Sequence, residues 1–252
     1  MLDAIFWGII QGLTEFLPIS SSGHLVLIPA LLDRPAPDLA TSAMLHLGTL
    51  AAVLVYYRRD IAAMARFDRP ARRLITLILI GSVPAAVLGL TLEDRIEELV
   101  SEPTTVAWFV VVTGLILLAS TLLRLGDRRV TEIRPLDSII VGVAQSFALI
   151  PGISRSGMTI TAGLSRGMER TEAARFAFLL GIPVIAGAGL LQMAEALSAG
   201  ESIPAEVWVG MVAAGLSGYA AIAVLLRLLT RVGLAPFGIY CVAFGTLALF
   251  LV

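Results

Sequence analysis

The sequence predicts an all-α polytopic membrane protein with an inverted-topology repeat, six transmembrane helices plus two opposed re-entrant helical hairpins. Three observations carry this reading. The 252 residues are 58% hydrophobic and only 15% charged, whereas a soluble domain is about a quarter charged, and the mean hydropathy is +0.91. Several stretches of about 17–20 residues lack ionised side chains, enough to cross ~30 Å of hydrocarbon at ~1.5 Å per residue. Two further segments, 1–34 and 136–166, are apolar at both ends but broken in the middle by Pro, Gly and Ser, and they resemble each other.

The elements follow in order. In residues 1–34 the apolar run AIFWGII leads into QGLTEFLPISSSGH and then LVLIPALL. Pro18 ends the first half-helix, because its ring blocks continuation of the hydrogen-bond ladder. Irregular backbone at membrane depth is tolerated only where it is buried in protein or lines a wet cavity. The segment therefore reads as a re-entrant hairpin. Spans are expected at 40–57, 74–92 and 105–123, then a second hairpin at 136–166, then spans at 172–194, 206–226 and 235–252.

The connections differ in charge. Arg58, Arg59, Arg66, Arg69, Arg72 and Arg73 crowd 58–73, and Arg124, Arg128, Arg129 and Arg134 follow the third span. Glu93, Asp94, Glu97, Glu98 and Glu102, with Arg95 alone against them, mark an acidic loop, as do Glu195, Glu201 and Glu206. Arginine is in excess in cytoplasmic loops. This puts 58–73, 124–135, 166–175 and 227–234 inside, and the acidic loops and both termini outside.

IIQGLTEFLPISSSG (9–23) aligns with IIVGVAQSFALIPGISRSG (139–157), with Glu15 opposite Gln145 and Ser20-Ser21-Ser22-Gly23 opposite Ser154-Arg155-Ser156-Gly157. Leu47-Gly48 matches Leu180-Gly181, SVPAAV (82–87) matches SGYAAI (217–222), and Gly114 matches Gly245, at offsets of 130 to 135. The expected units are 1–126 and 127–252, each with one hairpin and three spans. Three is odd, so the second unit enters the membrane inverted and the two polar tips meet near the midplane.

The lone Cys241 lies in the last apolar segment, so disulfides play no part. MLDAIFWGII lacks the basic region and cleavage site of a signal peptide. The 18 basic residues are all Arg and the net charge is -1. The basic runs read as topology signals rather than a nucleic-acid surface.

The tips carry the chemistry. Gln11 and Glu15 share one helix face, four residues apart. Ser20, Ser21, Ser22 and Gly23 put hydroxyls and N–H groups at a helix start, where anions bind, with His24 beside them. The second tip repeats this with Ser154, Ser156 and Gly157 and adds Arg155. An arginine at membrane depth is costly and is a functional candidate, and its fork matches phosphate oxygens. The set suits phosphoryl chemistry. Plainer readings stand beside it. Glu15 could be only an ion partner for Arg155, and single serines often bond back to the preceding turn. His46 reads as a packed or hydrogen-bonded residue near the cavity rather than a catalyst, and Gln145 as satisfying backbone groups at the second tip. Gln192 and Glu195 read as lying at a wet membrane interface.

QGLTEFLPISSSGH (11–24) and PGISRSG (151–157) resemble the two signatures of the bacterial undecaprenyl-diphosphate phosphatases of the bacitracin-resistance type, and the likeness extends through LHLGTLAAVLVYYRRD (45–60). The resemblance implies hydrolysis of undecaprenyl diphosphate to undecaprenyl phosphate and inorganic phosphate, which recycles the lipid carrier for cell-wall polymers. It implies a divalent cation (Mg²⁺ or Ca²⁺), a homodimer, and a place in the bacterial inner membrane with the site facing the extracytoplasmic side. Carried over, Glu15, Ser21, His24 and Arg155 are catalytic, and Ser20, Ser22, Gly23, Ser154, Ser156 and Gly157 bind phosphate. Glu15, with Gln11, would hold the metal. Gln11 stands where many members carry Glu, so a site of two carboxylates is not expected; Glu15 with phosphate oxygens and water is simpler. Either Ser21 attacks phosphorus with His24 or Glu15 as base, which is favoured, or one of these bases activates water; a histidine nucleophile is a third route. The competing class is a lipid-phosphate flippase using the same pocket.

Overall fold

A computed structural model describes residues 1–99, 102–200 and 203–252, with residues 93–99 described by their backbone alone. Eleven α-helices are described. They are α1 (Leu2–Phe16), α2 (Ser21–Leu32), α3 (Leu39–Tyr56), α4 (Arg58–Met64), α5 (Arg69–Leu99) and α6 (Pro103–Ala119), then α7 (Pro135–Ser146), α8 (Arg155–Ser165), α9 (Arg170–Ser198), α10 (Ala205–Arg231) and α11 (Ala235–Leu251). Local sequence sets their starts. Asp38 accepts from the Thr41 N–H at 2.7 Å to cap α3, and Asp68 accepts from the Ala71 N–H at 2.9 Å to cap α5. Pro opens α6, α7 and α11 at a position whose N–H would be unpaired anyway.

Helices α3, α5, α6, α9 and α10 are long and apolar enough to cross a membrane, and the chain is a multi-pass membrane protein. The sixth expected span is α11, apolar throughout but only 17 residues long. The largest departure from expectation is at 93–99, read as the start of an acidic loop but found as the last turns of α5. Charged residues beyond the hydrocarbon need not interrupt a helix. The side chains of Glu93, Asp94, Arg95, Glu97, Glu98 and Glu201 lie outside the described set. The short α4, with none of its residues buried, was not anticipated.

Packing follows an exchange pattern. α1 lies on α10 and α7 on α5; α3 lies on α10 and α9 on α5; α3 meets α9 and α6 meets α11. Replacing α1, α3, α5 and α6 by α7, α9, α10 and α11 returns the same pairs. Glycines permit the close crossings: a Cβ on Gly142 of α7 would lie 2.2 Å from the Gly81 carbonyl oxygen of α5, and one on Gly114 of α6 2.7 Å from that of Gly238 on α11.

The bundle has two chemically distinct ends. At one, Asp60 pairs with Arg175, Asp137 pairs with Arg128 and Arg166, and Arg73 donates to the carbonyls of Thr131 and Ile133. All arginines except Arg34, Arg95 and Arg155 lie in or beside these connections. At the other end Arg34 meets Asp3 at 3.1 Å, joining the open ends of α1 and α2. α1 reaches only halfway in. A Cβ on Gly8 would meet the Gly210 oxygen, near the start of α10, while the Phe16 ring meets Gly218, near its midpoint. The α1–α2 and α7–α8 hairpins thus enter from opposite ends.

Candidate active site

The first tip begins where α1 ends. Leu17 turns the chain to an extended conformation (φ -64°, ψ 140°) ahead of Pro18. Ser20 sits at φ 70°, uncommon for a residue with a Cβ, and its hydroxyl accepts from the Gly23 N–H at 3.2 Å to cap α2. The second tip repeats the cap, with Ser154 Oγ accepting from the Gly157 N–H at 3.2 Å. The Ser-x-Ser hydroxyls also pair alike, Ser20 with Ser22 at 3.3 Å and Ser154 with Ser156 at 3.2 Å.

The tips are bonded to each other. Ser156 Oγ donates to the Leu17 carbonyl at 3.2 Å, and the Gly152 N–H donates to Ser22 Oγ at 3.4 Å. Thr113 of α6 braces the second tip, accepting from the Ser154 N–H and donating to the Gly152 carbonyl at 2.9 Å.

Glu15 is the hub. Its Oε2 accepts from Ser21 Oγ at 2.6 Å and from Gln11 Nε2 at 3.2 Å, and its Oε1 accepts from Arg155 Nη2 at 3.2 Å. The carboxylate and guanidinium side chains are only 7% and 12% exposed, so each charge depends on the other for neutralisation. Arg155 Nη1 is buried and has no partner among the described residues. A buried, charged donor left open calls for an anionic acceptor. In front of this hub lies a cavity of about 140 Å³. Glu15, the three serines, Ser154, Arg155 and His46 line one side, and Val184, Ile185 and Ala188 of α9 line another.

A carboxylate, a hydroxyl bonded to it, a half-free guanidinium and an apolar wall are what an amphiphilic phosphate ester needs. The chain matches the family model described as Bacitracin resistance protein BacA over residues 4–247. The chain belongs to the BacA family. Among curated relatives, the Undecaprenyl-diphosphatase of Halothermothrix orenii is 44% identical across 100% of this chain and 98% of its own length. Those of Thermomicrobium roseum (43% identical, 99% of this chain and 97% of the relative) and Pelobacter propionicus (42%, 94% and 92%) are similar.

In this BacA-family chain the sequence-derived residues fall into two groups. Glu15, Ser20, Ser21, Ser22, Ser154 and Arg155 line the cavity. Gln11, Gly23, His24, Ser156 and Gly157 stand behind it. The N–H groups of Gly23 and Gly157 are occupied by the capping serines. His24 is turned away. Its Nδ1 donates to the Ser20 carbonyl at 2.7 Å, and in the neutral ring Nε2 accepts from the Tyr240 hydroxyl at 2.8 Å. Its ring stacks on Phe244 with centroids 4.6 Å apart. The histidine facing the cavity is His46, whose Nδ1 donates to the Ser42 carbonyl at 2.8 Å and whose Nε2 has no hydrogen-bond partner among the described residues. This agrees with its sequence reading as a packed or hydrogen-bonded residue near the cavity. Gln145 does not satisfy backbone groups as expected: both ends of its buried amide lack partners among the described residues.

Metal binding can be tested against the donors. Among the described residues no three His, Cys, Asp or Glu side chains gather to hold an ion. Gln11 Oε1 is nevertheless buried without a donor, one helical turn from the Glu15 carboxylate. Two protein oxygens fit a hard cation only when phosphate and water oxygens complete its shell.

Proposed function

We propose that the chain hydrolyses undecaprenyl diphosphate to undecaprenyl phosphate and inorganic phosphate, regenerating a carrier for cell-wall polymers and conferring bacitracin resistance. The observation that carries this reading is the Ser21–Glu15–Arg155 chain of hydrogen bonds beside the cavity, with Arg155 Nη1 buried and still without an acceptor among the described residues. The names of the full-length relatives support it.

The terminal phosphoryl group takes the open side of Arg155 and the hydroxyls of Ser20, Ser22 and Ser154, while the first isoprene units lie on Val184, Ile185 and Ala188. Ser21 Oγ attacks the terminal phosphorus and passes its proton to Glu15 along their 2.6 Å bond. Undecaprenyl phosphate leaves, and this proton goes to its departing oxygen. Water then attacks the phosphoserine, Glu15 takes a proton from it, and returns that proton to Ser21 Oγ as phosphate departs. Glu15 and Gln11 Oε1 would hold a divalent cation, Mg²⁺ or Ca²⁺, which when bound supplies charge neutralisation on the diphosphate oxygens. Most of the catalysis is positioning and electrostatics, as in other phosphoryl transfers.

The same reading includes two inverted units, 1–126 and 127–252, a homodimer, and a bacterial inner membrane with the site open to the extracytoplasmic side. The exchange pattern of helix contacts supports the repeat. Ile185 and Ala188 lie past the midpoint of α9, away from the arginine-rich end, which supports the sidedness. The exchange pattern also favours a second reading, flipping of lipid phosphate between the two faces.

The test is phosphate release from undecaprenyl or farnesyl diphosphate by detergent-purified protein, with and without EDTA, beside Ser21→Ala. Release that is lost in the variant supports the phosphatase with serine at its centre. Release that persists in the variant moves the attack to water, and no release by folded wild type with any divalent ion favours the flippase.

A further inference from the structure

A second cavity, of about 480 Å³, opens at the arginine-rich end between α4, the first turns of α5, the turn at 130–131 and the start of α9. Its floor is apolar, formed by Met64, Leu74, Leu77 and Val130, with Leu77 and Val130 buried. Its rim is charged, with four arginines against two aspartates.

Following each charge to its partner separates structure from residue. Asp60 pairs with Arg175, which also reaches Glu172 at 3.3 Å. Asp68 caps α5. Arg73 spends its fork on the carbonyls of Thr131 and Ile133. Arg66 and Arg69 remain. Both are exposed, and neither guanidinium has an ion-pair or hydrogen-bond partner among the described residues. Two cations without partners thus stand over a greasy floor where α3 ends and α5 and α9 begin, the level at which hydrocarbon gives way to water. Between them Phe67 is 65% exposed and held at φ 54°, an unfavourable backbone for an aromatic residue.

A topology signal needs only the number of arginines on one side. It does not call for a cavity, nor for two of them to be left unpaired beside apolar side chains. A soluble anion would use the charges but not the floor. An anionic phospholipid uses both.

We propose that this cavity binds an anionic phospholipid, with Arg66 and Arg69 on the headgroup phosphate and an acyl chain along Met64, Leu74 and Leu77. The site is separate from the hairpin tips and does not depend on the reaction proposed there.

The test is native mass spectrometry of the full chain in detergent, titrated with phosphatidylglycerol or with phosphatidylcholine of the same acyl chains. Wild type should retain phosphatidylglycerol with a preference of about tenfold or more. Arg66→Ala/Arg69→Ala should lose the preference while keeping the wild-type melting temperature in detergent, which reports its folding. Arg66→Lys/Arg69→Lys should keep a weaker preference, since charge remains without the fork. Excess inorganic phosphate should not displace the lipid. Equal retention of both lipids by wild type, a preference that survives in the alanine variant, or displacement by phosphate would each overturn the proposal.

Discussion

Gly181 of α9 lies directly against the guanidinium of Arg155: a Cβ at this position would stand 2.0 Å from Nη1 and 2.9 Å from Cζ. The atoms in conflict are the far end of a flexible side chain, so an added methyl group would move the arginine rather than the helix. Gly181→Ala should therefore fold with near-normal thermal stability but lose about tenfold or more in kcat/KM, roughly 1.4 kcal/mol of transition-state stabilisation. Phosphate release beside a melting curve checks it. A lowered melting temperature with normal turnover in the folded fraction would make Gly181 a packing residue only.

Removal of the hub groups should be far more costly. Glu15→Gln and Ser21→Ala should each lower turnover by about 100-fold or more. Arg155→Lys should fall nearly as far as Arg155→Ala, because Nη2 is committed to Glu15 and a single ammonium cannot also serve the phosphate. Gln11→Ala should be milder than Glu15→Ala. The reverse order in phosphate-release assays would count against Glu15 as the principal cation ligand.

The two histidines should separate cleanly. His24→Ala removes a buried ring bonded at both nitrogens and stacked on Phe244, so it should lower the melting temperature as well as activity. Tyr240→Phe, which deletes one hydrogen bond, should be milder on both. His46→Ala should reduce turnover and leave the melting temperature nearly unchanged. Thermal unfolding and kinetics on the same preparations decide; a stable, inactive His24→Ala protein would return His24 to the chemistry.

Asp137, in the loop cluster at the start of α7, predicts an acid limit to stability. Burial alone would raise its carboxyl, but hydrogen bonds from Arg128, the Arg134 N–H and Arg166 outweigh it and hold the group down to about 2. A carboxyl held below its ordinary value near ~3.9 stabilises the fold fully above that value and loses this contribution as pH falls through about 2. Asp137→Asn would leave Arg128 and Arg166 without their shared partner and should lower the melting temperature at neutral pH. The gap in melting temperature between wild type and variant should be wide near about pH 6 and narrow steadily below about pH 4. A gap independent of pH would remove the ion cluster as its cause.

Much of this arrangement was legible in the chain. Apolar length located the helices, Pro18 and the Ser-x-Ser-Gly repeats located both tips, and the lone arginine of the second hairpin marked the centre of the site. What escaped was orientation. His24 follows the first tip directly, and only Tyr240 and Phe244, more than 200 residues on, turn its ring away from the cavity. His46, by contrast, is found as the sequence places it, near the cavity and bonded to the Ser42 carbonyl of its own helix. Gly181 gives no local signal, because its neighbour Arg155 arrives from another element. The acidic run at 93–99 has the composition of a loop, but the propagating helix of α5 extends through its backbone.

The bonds between the tips also bear on biosynthesis. Glu15 and Ser21 are made in the first half of the chain and Arg155 in the second, and the backbone of each tip is anchored on the other. A ribosome that has delivered only the first 126 residues has therefore inserted Glu15 and Ser21, but not the arginine with which Glu15 is paired. The bonded set of Glu15, Ser21 and Arg155 is complete only once the second hairpin has docked, so a truncated or misinserted chain would carry half of it.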